Sequence, residues 1–390
     1  MGFVVPGEGQ LENLYVDNAW LVERYAGDIV WNWGWNQYGQ LGDNTSAHKS
    51  SPVQTVAGGT NWKYVSNQYQ FTSAIKTDGT LWTCGYNLSG QVGDNTATHK
   101  SSPVQTVAGG TNWKYVAAGV YHTAAIKTDG TLWAWGDNYY GQLGDNTRVN
   151  KSSPVQTVAG GTNWKYVAAG VHHTSAIKTD GTLWVWGRDT YGQLGINSIL
   201  HRSSPVQTVA GGTNWKYVSC FAANSTAIKT DGTLWVWGNN DTGQLADNTA
   251  VNKSSPVQTI AGGTNWKQVA CGYNHTAAIK TDGTLWMWGL NTKGQLGDNT
   301  VASKSSPVQT IAGGTNWKQG ACGGSYTAAI KTDGTLWTWG HDAYGQLGDN
   351  TLVHKSSPVQ TVAGGTNWKY VSCGYATTSA ISINNFNTTG

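Results

Sequence analysis

Along most of the chain, apolar runs of five or six residues alternate with polar stretches rich in Gly, Asn, Asp, Ser and Thr. From Ala125 to Gly136 two such runs flank Asp129-Gly130. Asp-Gly supplies the positive φ angles of a tight hairpin turn, and Ile126, Leu132, Trp133 and Trp135 suit a pleated surface, so the stretch predicts a β-hairpin. The string Lys-Thr-Asp-Gly-Thr-Leu-Trp begins at Lys76 and returns every 51 residues, at Lys127, Lys178, Lys229, Lys280 and Lys331. A period of this length marks a repeat array in which each unit buries its apolar faces against its neighbours.

One unit parses into four short strands: Trp113 to Ala118, Thr123 to Lys127, Thr131 to Trp135 and, after a polar loop from Gly136 to Ser153, Pro154 to Val158. Connections this short predict an antiparallel meander. The third strand is apolar on both faces, which requires covering sheets front and back, as stacking around an axis provides. The small residues Ala117, Ala118 and Gly119 place the first strand at the crowded centre, and Pro154 places the fourth at an edge, where a missing donor is tolerated. The array opens at Asp28 with a segment that aligns with the third strand and stops at Ile383 with one that aligns with the second. The two ends therefore complete one blade together. The pattern predicts an all-β fold: a closed seven-bladed β-propeller of four-stranded antiparallel blades over residues 28–384. Residues 1–27, with Trp20 as anchor, are read as an N-terminal docking segment, and 385–390 as a C-terminal tail.

The unit from Val116 to Gly144, with its Ala-Gly, His-Thr, Ala-Ile, Asp-Gly, Leu-Trp, Trp-Gly and Gly-Gln-Leu-Gly steps, resembles the repeat of the regulator of chromosome condensation (RCC1) family. The resemblance covers nearly all of residues 28–384 and implies seven blades. For activity it implies a range, from nucleotide exchange and light sensing to enzyme inhibition and plain interaction. The chain departs from that family's pattern in lacking a basic tail and in having repeats unusually alike. Its first ten residues resemble the openings of some marine bacteriophage virion proteins.

Composition narrows the choice. Charged residues are 12% of the chain, against about 25% in ordinary domains, and the net charge is only +3 with no run of Lys or Arg. That predicts no nucleic-acid partner. The N-terminus has neither a basic opening nor a long apolar core, so no secretory signal is expected. No window reaches the roughly 18 apolar residues of a membrane span, so no membrane insertion is expected. Five cysteines without paired spacing fit a reducing compartment.

Twenty of the 22 tryptophans fall in three columns of the repeat and read as core, with Cys84 in the one vacant place; Trp35 lies outside the columns. Cys220, Cys271, Cys322 and Cys373 share a column around the axis and do not converge on a metal or a disulfide. The column Phe71, His122, His173, Asn224, His275, Tyr326 and Thr377 is too varied for a catalytic set, and its histidines are read as making local hydrogen bonds. Gly-Asp-Asn-Thr, as at Gly42, reads as a self-bonded turn before it reads as a calcium loop. No catalytic residue, metal or cofactor is expected, and the protein is read as a non-enzyme.

What varies between units is informative. The Lys-Thr-Asp-Gly-Thr turns and the Ala-Gly-Gly-Thr-Asn-Trp-Lys linkers, on one face of the disc, barely change, whereas the loops on the other face diverge. Flat aromatics on loops over a rigid frame have the makeup of a recognition surface. The candidate ligand-binding residues are Trp35, Tyr38, Tyr86, Tyr139, Tyr140, Arg188, Tyr191, Lys293, His341 and Tyr344. The expected function is a non-enzymatic module that binds a protein or a cell-surface glycan through this face. The favoured setting is a virion surface or other extracellular assembly, attached to an assembly partner through residues 1–27. The alternative is an intracellular interaction scaffold or guanine-nucleotide exchange factor.

Overall fold

A computed structural model describes residues 28–383; the docking segment and the tail lie outside them. The described chain is all-β, with 28 strands in seven four-stranded antiparallel sheets. The first blade spans residues 62–105, the second 113–156, the third 164–207, the fourth 215–258, the fifth 266–309 and the sixth 317–360. In the second blade, β7 (Trp113–Ala118), β8 (His122–Lys127), β9 (Leu132–Gly136) and β10 (Lys151–Gln156) pair in order from the axis outward.

The seventh blade is shared by the two ends. It is ordered β27 (Trp368–Cys373), β28 (Thr377–Ile383), β1 (Asp28–Gly34), β2 (Lys49–Gln54). The joint between β1 and β28 runs without irregularity from Asp28 opposite Ile383 to Gly34 opposite Thr377. Lys369 Nζ adds an ion pair to Asp28 at 2.7 Å. The innermost strand β27 also touches β3 (Trp62–Asn67) of the first blade, which closes the ring. Closure pairs the edges that β1 and β28 would otherwise leave open, so that only the innermost and outermost strands of each blade end a sheet.

That outer strand differs from the sequence expectation. It begins at Lys151, not at Pro154, and carries the proline in its interior. Lys151 faces Gly136 and Val155 faces Ala134, with a shift in register between them. An irregular outermost strand leaves the proline nitrogen without a ladder bond to lose.

Each blade interface is filled by tryptophan. Trp135 is fully buried, and its Nε1 donates to the Gln91 carbonyl of the preceding blade at 2.9 Å. Its ring meets that of Trp113 at 5.9 Å. Leu132 and Ala134, on the opposite side of β9, are equally buried. The remaining column is only half-buried: Trp133 is capped by Lys127, whose Nζ stands 4.5 Å from the Trp133 ring and 4.9 Å from that of Trp113. A lysine over two ring faces covers them without losing its charge to an apolar core.

The histidine column bonds between blades, not locally. His122 Nε2 lies 2.8 Å from Thr174 Oγ1, His173 Nε2 is 3.0 Å from Ser225 Oγ, and His275 Nε2 is 3.0 Å from Thr327 Oγ1, each in the following blade. Burial pushes all three imidazoles down to about 3, so they stay neutral. Tyr326 fills the same place and donates to the Thr377 carbonyl at 2.7 Å. The four thiols of the cysteine column are buried in separate blades.

The two faces of the disc differ for a packing reason. Gly79, at φ +81°, brings its turn against the next linker so closely that a Cβ would fall 2.1 Å from the Thr111 carbonyl oxygen. Trp113 N donates to the Gly79 carbonyl at 3.0 Å, which locks turn and linker together. The opposite loops also lock onto the next blade, a Cβ on Gly39 falling 2.3 Å from Ser101 Cα and Asn44 N donating to the Ser101 carbonyl at 2.9 Å, but these contacts use the recurring Gly39 and Asn44 and not the residues that differ.

Candidate interaction face

On the varied face, the long loop of each blade is built around one buried side chain, Asn in five blades and Asp in the third and sixth. Asn36 Nδ2 donates to Asp43 Oδ1 at 3.0 Å and to the carbonyls of Thr45 and Ala47, while its Oδ1 accepts from Leu41 N at 2.9 Å. Gln40 Oε1 accepts from Tyr38 N at 3.0 Å, and the backbone N–H of Asn36 donates to His48 Nδ1. Asp43 also accepts from the backbone and hydroxyl of Thr45. The Gly-Asp-Asn-Thr carboxylate is thus committed to its own loop, with Asn44 at φ 61° making the turn. The loop is held from within, and residues 35, 37 and 38 ride on its outside.

These loops meet the short inner turns. Trp35 N donates to the Ala376 carbonyl, Tyr86 N to that of Gln70 and Asp137 N to that of Tyr121. Each bond ties an outer loop to the inner turn of its own blade, and ring contacts then join the variable residues of neighbouring blades into one aromatic surface. Trp35 stacks on Tyr344 at 5.6 Å and meets Tyr38 at 6.0 Å, Tyr69 at 6.2 Å and Tyr375 at 6.5 Å. Tyr38 leads to Tyr86 at 5.0 Å, and Tyr86 stacks on His99. From Tyr69 the contacts run through Tyr121 and His172 to Tyr140. Tyr139 packs on Tyr140 and stands 68% exposed. The Arg188 guanidinium lies over both Tyr140 and Tyr191, at 5.2 and 5.7 Å. At the other end His341 meets Tyr344 and His354.

Nine of the ten residues singled out from the sequence therefore join one crescent over five blades, from the sixth through the seventh to the third. Lys293 stands apart, exposed in the fifth blade. Its charge, after burial and His354, helps push His341 down to about 4. The long loops of the fourth and fifth blades, Asn239 to Thr242 and Leu290 to Lys293, carry no aromatic ring, and these blades join the surface only through Phe221 and Tyr273 of their inner turns. Omitted from that set were Tyr69, Tyr121, His172 and Tyr375 of the inner turns, which link the outer clusters. Their divergence between units was visible; that they bridge the blades was not. His48, His99, His201 and His354 were also missed, because residues twelve positions after the loop Asn or Asp fold back over it.

The closed ring and its aromatic crescent define the class: a seven-bladed propeller that presents a diversified loop face on a uniform frame. The sequence profile of the RCC1-like domain matches residues 20–261, and profiles of the RCC1 repeat match segments between 266 and 381. The chain belongs to the RCC1-like family. It is 31% identical over 344 residues to the Ultraviolet-B receptor UVR8 of Arabidopsis thaliana, spanning 86% of this chain and 78% of that one. It is 26% identical over 382 residues to the E3 ubiquitin-protein ligase HERC2 of Homo sapiens, spanning 93% of this chain but only 8% of that much longer protein. The solved structure of Prp20p from Saccharomyces cerevisiae superimposes with a TM-score of 0.81 at 17% identity, covering 93% of each chain, a likeness of fold. Among the described residues no helix is long and apolar enough to cross a membrane.

Proposed function

We propose that this protein is a non-catalytic interaction module that captures a protein partner on the aromatic crescent. The observation that carries the reading is the continuity of the crescent. Trp35, half-buried, is anchored by four neighbouring rings, and Arg188 lies across two tyrosines. Rigid aromatics with one edge free give contact area at low entropic cost, and Tyr, Trp and Arg are the residues that dominate binding energy at protein interfaces. The relatives favour a protein partner: Prp20p is described by its binding to Gsp1p and histones. They lend no support to the virion, adhesion or glycan expectations, nor to the exclusion of nucleic acid, and they favour the alternative of an interaction scaffold or exchange factor.

The test is cross-linking with mass spectrometry in the native source, comparing the wild-type chain with a variant in which Tyr139, Tyr140, Tyr191 and Tyr344 are all serine. A partner cross-linked to the loops of blades two, three and six, lost in the variant at unchanged melting temperature, is the expected result. Cross-links that persist in the folded variant overturn the assignment of the face. Should the partner be a small GTPase, faster nucleotide release on adding the wild-type chain identifies the exchange-factor form of this function.

A further inference from the structure

Seven copies of one unit make each long loop a control for the others. In six blades the first lysine of the outer strand pairs with the aspartate of the Gly-Asp-Asn-Thr position, from Lys49 with Asp43 to Lys355 with Asp349, at 2.9 to 3.9 Å. The third blade departs: Ile196 replaces the aspartate and Arg202 the lysine. Two further departures fall beside it. Position 188 is Arg where the other blades have Trp, Tyr, Asp, Asn, Leu or His, and position 148 is Arg where they have Ser, Ala, Ile, Val or Leu. Three of the four arginines of the chain thus lie on two adjoining loops.

Among the described residues no carboxylate forms an ion pair with any of the three. Arg188 Nε donates to Thr190 Oγ1 at 3.0 Å, which holds the guanidinium across Tyr140 and Tyr191 and leaves its terminal nitrogens to a ligand. His201 meets the same Tyr140 ring at 4.9 Å. Burial, and then the charges of Arg148 and Arg188, hold the His201 imidazole below its ordinary range, so both guanidinium groups act on one spot. Arg202 bears on Asp189, but burial pushes that carboxyl up to about 7. Asp137 is already engaged: Gln142 donates to it, and His172 Nδ1 stands 3.4 Å away. Ile199 and Leu200, each 63% exposed, directly precede His201 and give the patch an apolar margin.

Building on the crescent as a protein-binding face, we infer that these two loops dock an acidic segment of the partner, its carboxylates on Arg148 and Arg188 and an apolar side chain against Ile199 and Leu200. A guanidinium held flat by tyrosines is pre-organised for a carboxylate, which it can take with two parallel hydrogen bonds. Unpaired cations on an otherwise balanced face also steer an acidic partner to this end of the crescent. Three cations are few for a nucleic-acid strand, whose phosphates would also leave the aliphatic margin bare.

The test is fluorescence anisotropy of the full chain with a labelled peptide of about twelve residues repeating Glu-Glu-Leu, at about 50 and 300 mM salt. The expected result is micromolar binding that weakens at high salt and is lost when every Glu of the peptide is Gln. Arg148→Gln with Arg188→Gln should weaken binding at least about tenfold. Lys63→Gln with Lys114→Gln, which removes as many charges from exposed positions on the opposite face, should leave it unchanged. Ile196→Asp gives Arg202 the partner that Lys355 has in Asp349, and should weaken binding about threefold. Melting temperatures are taken alongside; if the double arginine variant is unfolded, Ile196→Asp decides. No binding at about 0.3 mM chain overturns the dock, as does binding that the folded arginine variants leave unchanged or that the Gln peptide matches. Tighter, arginine-dependent binding of a single-stranded oligonucleotide of like length overturns it too. A partner that still cross-links through the tyrosines when the acidic peptide fails keeps the crescent as the interaction face and removes only its preference for acid.

Discussion

Five of the seven long loops are built on Asn, but the third and sixth have Asp189 and Asp342 instead, and this difference makes stability depend on pH. Asp189 Oδ1 accepts from Leu194 N at 2.8 Å, as the Asn oxygen does elsewhere, which puts Oδ2 where the other loops have an amide nitrogen donating to carbonyls. Oδ2 is buried without a partner among the described residues, and Ile196 replaces the aspartate that receives the amide in other blades. Desolvation pushes the Asp189 carboxyl up from 3.8 to about 7, with the Leu194 N–H and Arg202 opposing it. A raised acid binds its proton more tightly in the folded than in the unfolded chain. Its contribution is therefore complete below about pH 4 and is lost as the pH rises to about 7. Three pH units correspond to about 4 kcal/mol at most, and allowing for screening by water, about 2 to 4 kcal/mol.

Asp189→Asn restores a donor at that atom and removes the ionisation. At about 2 cal/mol/K of unfolding entropy per residue over the 390-residue chain, the expected gain at pH 8 is about 2 to 5 °C in melting temperature. Scanning calorimetry of both proteins at pH 4 and pH 8 measures it. The gap should be wide at pH 8 and shrink to under about 1 kcal/mol at pH 4. Equal melting at pH 8, or a gap that ignores pH, refutes the reasoning.

Asp342→Asn should act in the same direction, because burial, with Asp349 facing it, pushes this carboxyl to about 7; the double variant tells whether the two loops add. Trp135→Ala removes a fully buried ring and its bond to Gln91, and should cost about 3 to 5 kcal/mol, seen as a melting temperature lower by about 4 to 6 °C. Cys84 occupies the tryptophan column of the first blade and sits 3.6 Å from the Gln40 carbonyl that a tryptophan there would donate to. Cys84→Trp should raise the melting temperature by about 1 to 2 °C; a lower value shows that Pro103 has closed over the smaller side chain. All five thiols are buried, with Cys84, Cys271 and Cys373 pushed up to about 12 and Cys220 to about 11, chiefly by desolvation. A thiol reagent at pH 8 should leave the native chain unmodified over hours and titrate all five on denaturation.

What the sequence determined by itself is the frame. Each repeat names its own turn in Asp-Gly, its own two-sided strand in Leu-Trp-x-Trp and its own inner strand in small residues, and such local rules are obeyed wherever the string recurs. The closure was legible as well, since the chain starts one strand and stops another of a single repeat, and β1 and β28 pair along their whole length. The proline was rightly placed in the edge strand, but the start of that strand was put at Pro154 and not at Lys151, because where the outer strand bends is not set by its neighbours in sequence. Proximity around the ring was decided only by tertiary structure. That Trp35 stacks on Tyr344, 309 positions away, and that His122 bonds to the next blade both follow from stacking the blades into a circle. A periodic sequence repeats a residue at a fixed interval, and only the curvature of stacked blades turns that interval into a distance.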